Sequence, residues 1–200
     1  MKGRRSFATG SKYQYRNVCY FALAEIITRV SGQPWDAFFV ERVFGPAGMA
    51  DTRTTTTSAL VPRRARGYAW QKDRYVNASE LLAIRPSGAF ISTALDLAKW
   101  DALLYQERPL TKASRDEMSK PMRLTDGTVS NYGFGWEIDV LDGHRGVVHG
   151  GSLPGFRAHM SRFPDDGLTV IVLTNADGAI PGQIASGVAR FHFSAASNQH

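Results

Sequence analysis

The residues from 147 to 175 constrain the fold of this chain more than any other stretch. Apolar runs at residues 147–150, 156–163 and 168–175 each have strand length, and Pro164, Asp165, Asp166 and Gly167 between the last two are turn-forming residues. Strands joined so closely run antiparallel, as a meander. Just upstream, Tyr132, Phe134, Trp136 and Ile138 alternate with Gly133, Gly135 and Glu137, which predicts a further strand with one aromatic and one nearly bare face. A closing helix is expected to bury Ile184, Val188 and Phe191.

Earlier in the chain the period is helical. Tyr20, Leu23, Ala24, Ile27 and Val30 form one stripe stopped by Gly32, and a second helix from Pro34 carries Trp35, Phe38, Phe39 and Val43 up to Gly45 and Pro46. Residues 50–77 show no sustained period and read as loops with a short strand at residues 66–70. A cap at Ser92 or Thr93 predicts a helix to about Gln106, and another spans residues 111–119 before Pro121. The whole is an α+β plan: one domain over residues 1–200, with a helical and irregular lobe at 10–130 and antiparallel strands plus a helix at 131–200, an antiparallel sheet flanked by helices.

Composition removes several classes. Cys19 is the single cysteine, so no internal disulfide and no Cys-x-x-Cys metal clamp can form. No apolar run approaches the roughly 20 residues a membrane span needs. The net charge of +6 is scattered over Lys2, Arg4 and Arg5 at one end and Arg63, Arg64 and Arg66 in a proline-containing stretch, without interleaved aromatics, so no nucleic-acid partner is expected. No cofactor or metal motif is expected either, and compartment is left open.

Two stretches carry candidate chemistry. His149, Gly150, Gly151 and Ser152 end a strand with little side-chain bulk, so a substrate could lie along the backbone with the Ser152 N–H as an oxyanion donor and His149 handling a proton. The same residues also fit a glycine-rich hairpin with a surface histidine. Tyr15 and Asn17, flanking Arg16 at the mouth of the first helix, could act as proton relay and amide clamp, or as a packing ring and a helix cap.

The order of several motifs resembles the serine hydrolases of the β-lactamase and penicillin-binding-protein superfamily, notably class C enzymes with their esterase and D-amino-acid peptidase relatives. Residues 9–17 stand where that family has PG-x-x-F-x-Y-S-N, and 46–52 where it has PLGM-x-x-T. Residues 87–98 match GG-x-x-S-T-x-x-D-L-A, 132–136 match YG-x-GW, and His149 to Gly151 with Pro154 to Phe156 match [KH]-[TG]-G followed by PGF. The resemblance covers about Gly10 to Gly178 and implies a small-molecule acyl substrate attacked by a serine in a Ser-x-x-Lys helix. It implies Tyr15 as the tyrosine managing the proton, Asn17 holding the substrate amide, His149 opposite the nucleophile, and Gly150, Gly151 and Ser152 as substrate edge and oxyanion donor.

Two departures set further expectations. No serine in the chain is followed three residues later by lysine, so the chain is expected to be the rear portion of such an enzyme, without its nucleophile. Arg16 replaces the usual serine or alanine, and either lowers the pKa of Tyr15 or points to solvent. Without the family's N-terminal strands, the strand at residues 168–175 is expected to present an unpaired apolar edge, favouring self-association and poor solubility. The rival expectations are a non-catalytic binding module that keeps the pocket, and an inactive truncated product.

Overall fold

The structure, a computed structural model, describes residues 7–56, 58–79, 86–88, 90–106 and 110–197. The basic cluster at Lys2, Arg4 and Arg5, and Ala89 of the capping motif, lie outside the described residues.

Helix α1 (Val18–Ser31) ends where the sequence signals, at Gly32 with φ 74°. It is followed by α2 (Trp35–Phe39), whose last turn widens into a π-helical turn at Val40–Phe44. Strands β1 (Arg53–Thr54), β2 (Tyr68–Gln71), β3 (Arg74–Asn77) and β4 (Phe90–Ile91) come next. The stretch at 50–77 thus holds the β2–β3 hairpin and β1, which pairs with β4 further along the chain, each too short to show a period. Helices α3 (Ala94–Leu103) and α4 (Lys112–Met118) begin at Thr93 and Thr111, whose hydroxyls accept from Asp96 N and Ser114 N. Strands β5 (Met122–Arg123) and β6 (Val129–Ser130) pair with each other.

The main sheet comprises β7 (Glu137–Leu141), β8 (His144–Leu153), β9 (Phe156–Phe163) and β10 (Leu168–Thr174), antiparallel and in chain order. The β7–β8 turn is Asp142-Gly143, both with positive φ, as a two-residue hairpin that matches strand twist requires. Helix α5 (Pro181–Ser197) covers one face of the sheet, where Leu141, Phe163, Val170, Ala185, Ala189 and Phe193 form the core. On the other face Arg162 pairs with Asp101 of α3, Thr169 donates to the same carboxylate at 2.9 Å, and the guanidinium lies 5.1 Å from the Tyr105 ring centre. The antiparallel sheet flanked by helices is therefore observed.

Three sequence readings are corrected. Residues 132–136 are a loop: Gly133 N bonds Trp136 O at 2.8 Å, and a Cβ on Gly133 would sit 2.1 Å from Met118 O, so the chain folds onto the end of α4 and only β7 continues as strand. The buried stripe of α5 is Ala185, Ala189 and Phe193, whereas Ile184, Val188 and Phe191 face outward. Small residues let the helix approach the sheet closely, which apolar periodicity alone does not weigh. On α1, Ala24 is buried but Leu23 and Val30, assigned to the same stripe, are exposed.

Candidate active site

The β8 edge owes its openness to a difference in strand length. β7 pairs with β8 only from Leu141↔His144 to Glu137↔Val148, while β9 follows β8 to Leu153↔Phe156. From His149 onward β8 therefore has a neighbour on one side only. In an antiparallel ladder alternate residues direct their N–H and C=O to opposite sides. Leu141↔His144 closes one hairpin and Leu153↔Phe156 the other, so Gly150 and Ser152 point to the side beyond the reach of β7. The Gly150 carbonyl there accepts from His149 Nδ1 at 2.7 Å.

Neither diglycine residue is demanded by the protein itself. Neither has a positive φ, and a Cβ at Gly150 or Gly151 would meet its nearest atom at 3.6 or 3.7 Å, an ordinary contact. Their missing side chains leave the edge bare toward solvent.

Opposite this edge lies the run into α1. The ring of Tyr15 is 6.1 Å from that of His149 and 6.1 Å, edge-on, from that of Tyr132. Asn17 occupies the N-cap position without a side-chain cap hydrogen bond, so its amide is not spent on the helix. Arg16 Nη2 donates to Gln14 Oε1 at 2.8 Å. Tyr15, Asn17, His149, Gly150, Gly151 and Ser152, the six residues singled out in the sequence, all line one cleft of about 1700 Å³.

Other lining residues carry no mark in the sequence as site residues. The Tyr132 hydroxyl lies 3.1 Å from His149 Nε2. Burial foremost, then the nearby Tyr20, Tyr13 and Tyr15, holds its hydroxyl well above the ordinary phenol range, so it stays protonated. Its signal lay in the YG-x-GW motif, where the strand reading hid it. Glu137 also lines the cleft, and the pKa of Tyr13 is raised by burial first and then by the Glu137 charge. At the far end Asp96 accepts from Asp51 N at 2.8 Å, Thr52 Oγ1 at 3.0 Å and Lys99 Nζ at 2.8 Å. Burial alone would raise its pKa, but these donors win and hold it below the usual carboxylate value. Among the described residues no cluster of His, Cys, Asp and Glu could hold a metal ion, and no helix is long and apolar enough to cross a membrane.

The hairpin end of β8 is pinned from outside. Asp177 Oδ1 accepts from Gly155 N at 2.7 Å and from Arg157 Nη1 at 3.0 Å. Asn175 Nδ2 bonds Arg66 O at 2.9 Å, tying residues 61–67 of the rim to the sheet.

The family of proteins described as beta-lactamase matches residues 2–191. The chain is 33% identical over 187 residues to penicillin-binding protein 4* of Bacillus subtilis, covering 86% of this chain and 41% of that protein, and 27% identical to the D-aminopeptidase of Brucella canis, covering 86% and 33%. It thus spans less than half the length of these relatives. Among solved structures, the octameric penicillin-binding protein homologue from Pyrococcus abyssi superposes with a TM-score of 0.82 at 25% identity, over 92% of this chain and 43% of that one. The D-amino acid amidase from Ochrobactrum anthropi gives 0.70 at 25%, over 82% and 52%.

Proposed function

The chain belongs to the beta-lactamase family, and on that premise we propose that it supplies the substrate-holding half of a serine hydrolase acting through an acyl-enzyme. The observation that carries this reading is the meeting of Tyr15 and the bare β8 edge across one cleft. In this reading Tyr15 handles the proton of the attacking serine, Asn17 holds the substrate amide, and His149 stands opposite the nucleophile. Gly150 and Gly151 let the substrate lie along β8, where the Ser152 N–H is directed at the developing oxyanion. No serine here stands three residues before a lysine, so the nucleophile of that kind is not among these 200 residues.

Amides with a free amino group are the favoured substrates within the proposal. Relatives named D-aminopeptidase and D-amino acid amidase support this, as does Glu137, a carboxylate in the wall able to meet an ammonium group. The test is a burst assay with p-nitrophenyl acetate. The chain alone gives no stoichiometric burst, and adding a segment that carries Ser-x-x-Lys restores one that Tyr15→Phe reduces at least tenfold. A burst from the chain alone contradicts the reading.

The absence of a Ser-x-x-Lys serine favours one alternative, a binding module without chemistry, which predicts ligand binding but no burst in either preparation. The proposal also includes self-association. β10 lies at the sheet edge, Leu23, Val30, Ile184 and Phe191 are exposed, and one relative is described as octameric. Sedimentation at rising concentration measures it; a monomer throughout would remove it.

A further inference from the structure

Both ring nitrogens of His149 are engaged. Nδ1 lies 2.7 Å from the Gly150 carbonyl oxygen and Nε2 lies 3.1 Å from the Tyr132 hydroxyl. A carbonyl oxygen only accepts, so Nδ1 carries the proton. In the neutral ring Nε2 is then the acceptor, and the Tyr132 O–H donates to it. The result is a directed pair of hydrogen bonds from the 131–136 loop to the open edge of β8.

The loop is built to hold this geometry. Gly133 lies against Met118 O too closely for any side chain, Phe134 N bonds that same oxygen at 2.9 Å, and Met122 N bonds Tyr132 O at 3.2 Å. The other titratable groups near the imidazole are Tyr15, whose ring centre lies 6.1 Å away, and His159 from β9, whose pKa is lowered by burial first and then by His149.

We propose that Tyr132 is a positioning residue: its hydroxyl fixes His149 as the Nδ1–H tautomer, and the imidazole in turn fixes the Gly150 carbonyl. His149 is thereby a strut of the substrate edge, and the proton traffic of the cleft runs on the Tyr15 side. The bearing on acyl transfer rests on the function proposed above; the tautomer does not.

A long-range ¹⁵N–¹H spectrum of the full chain at neutral pH tests this, with the ring assigned by its loss in His149→Gln. The expected pattern is a protonated Nδ1 and an unprotonated Nε2. In Tyr132→Phe the Nε2 signal moves downfield, as for an imidazole that has lost a donor, and binding of D-phenylalanine amide weakens about fivefold. A proton on Nε2, or averaging between tautomers, in the unsubstituted protein overturns the proposal, even if Tyr132→Phe does not fold. An Nε2 signal unmoved in a folded Tyr132→Phe also overturns it. A chain that shows the Nδ1–H ring but binds no amide sinks the hydrolase reading alone, whereas amide binding with an Nε2–H ring sinks this inference alone.

Discussion

The two walls of the cleft are built by different means. The β8 wall is a strand laddered to β9, backed by the Phe163–Phe193 core and pinned at its hairpin by Asp177. The facing wall, Tyr13 to Asn17, is exposed, anchored by Thr125 N to Gly10 O at 2.9 Å and by ring contacts of Tyr13 and Tyr15 with Tyr132. One wall derives its position from a core within this chain. The other derives it from α1, whose apolar side stands largely open. Stability and function therefore separate: the residues that hold the fold lie behind β8, and those proposed to touch substrate add little to it.

The strongest challenge to that contrast is Phe163→Ala. Phe163 is 2% exposed, and its truncation is expected to cost about 3–5 kcal/mol, read by denaturant unfolding, with amide protection lost first along β8 and β9. Equal loss at Tyr13–Asn17 would show that the walls are not independent. Asp177→Ala sharpens the comparison at one end, removing two hydrogen bonds for about 1–3 kcal/mol and speeding exchange at the Gly155 amide while α1 is unaffected.

Asp96 sets the pH dependence at the far end of the cleft. Its folded pKa lies below the ordinary carboxylate value of 3.8. Its stabilisation is thus complete above that pH and is lost as pH falls through the folded value. Asp96→Asn is expected to lower Tm at pH 7 and to flatten its fall below pH 4. The smallest effect is Gly151→Ala, which should change stability by no more than about 0.5 kcal/mol yet weaken amide binding at least tenfold by covering the β8 edge. Comparable losses in both would mean the glycine is structural.

Sequence reading went furthest where local chemistry and packing agree. Gly32 ends α1, Thr93 caps α3, α4 falls within the expected 111–119, and β9 runs from Phe156 to Phe163 as its apolar pattern indicates. It erred where tertiary contacts overrule period: the aromatics at 132–136 alternate like a strand but are held in a loop by the end of α4. The α5 stripe was misjudged because Ala185 and Ala189 bury more completely than the larger Ile184 and Val188. The candidate site residues came from motif order. The His149–Tyr132 contact did not, because nothing in the local sequence reports a hydrogen bond across 17 residues.

The central claim is that Tyr15 with Asn17 and the His149–Ser152 edge form one binding surface. Titration of the ¹⁵N-labelled chain with D-phenylalanine amide tests it most directly. The account predicts that amide resonances of both segments shift together along one saturation curve, while those of α4 stay fixed. Shifts confined to one segment, or two segments saturating at different concentrations, would contradict it.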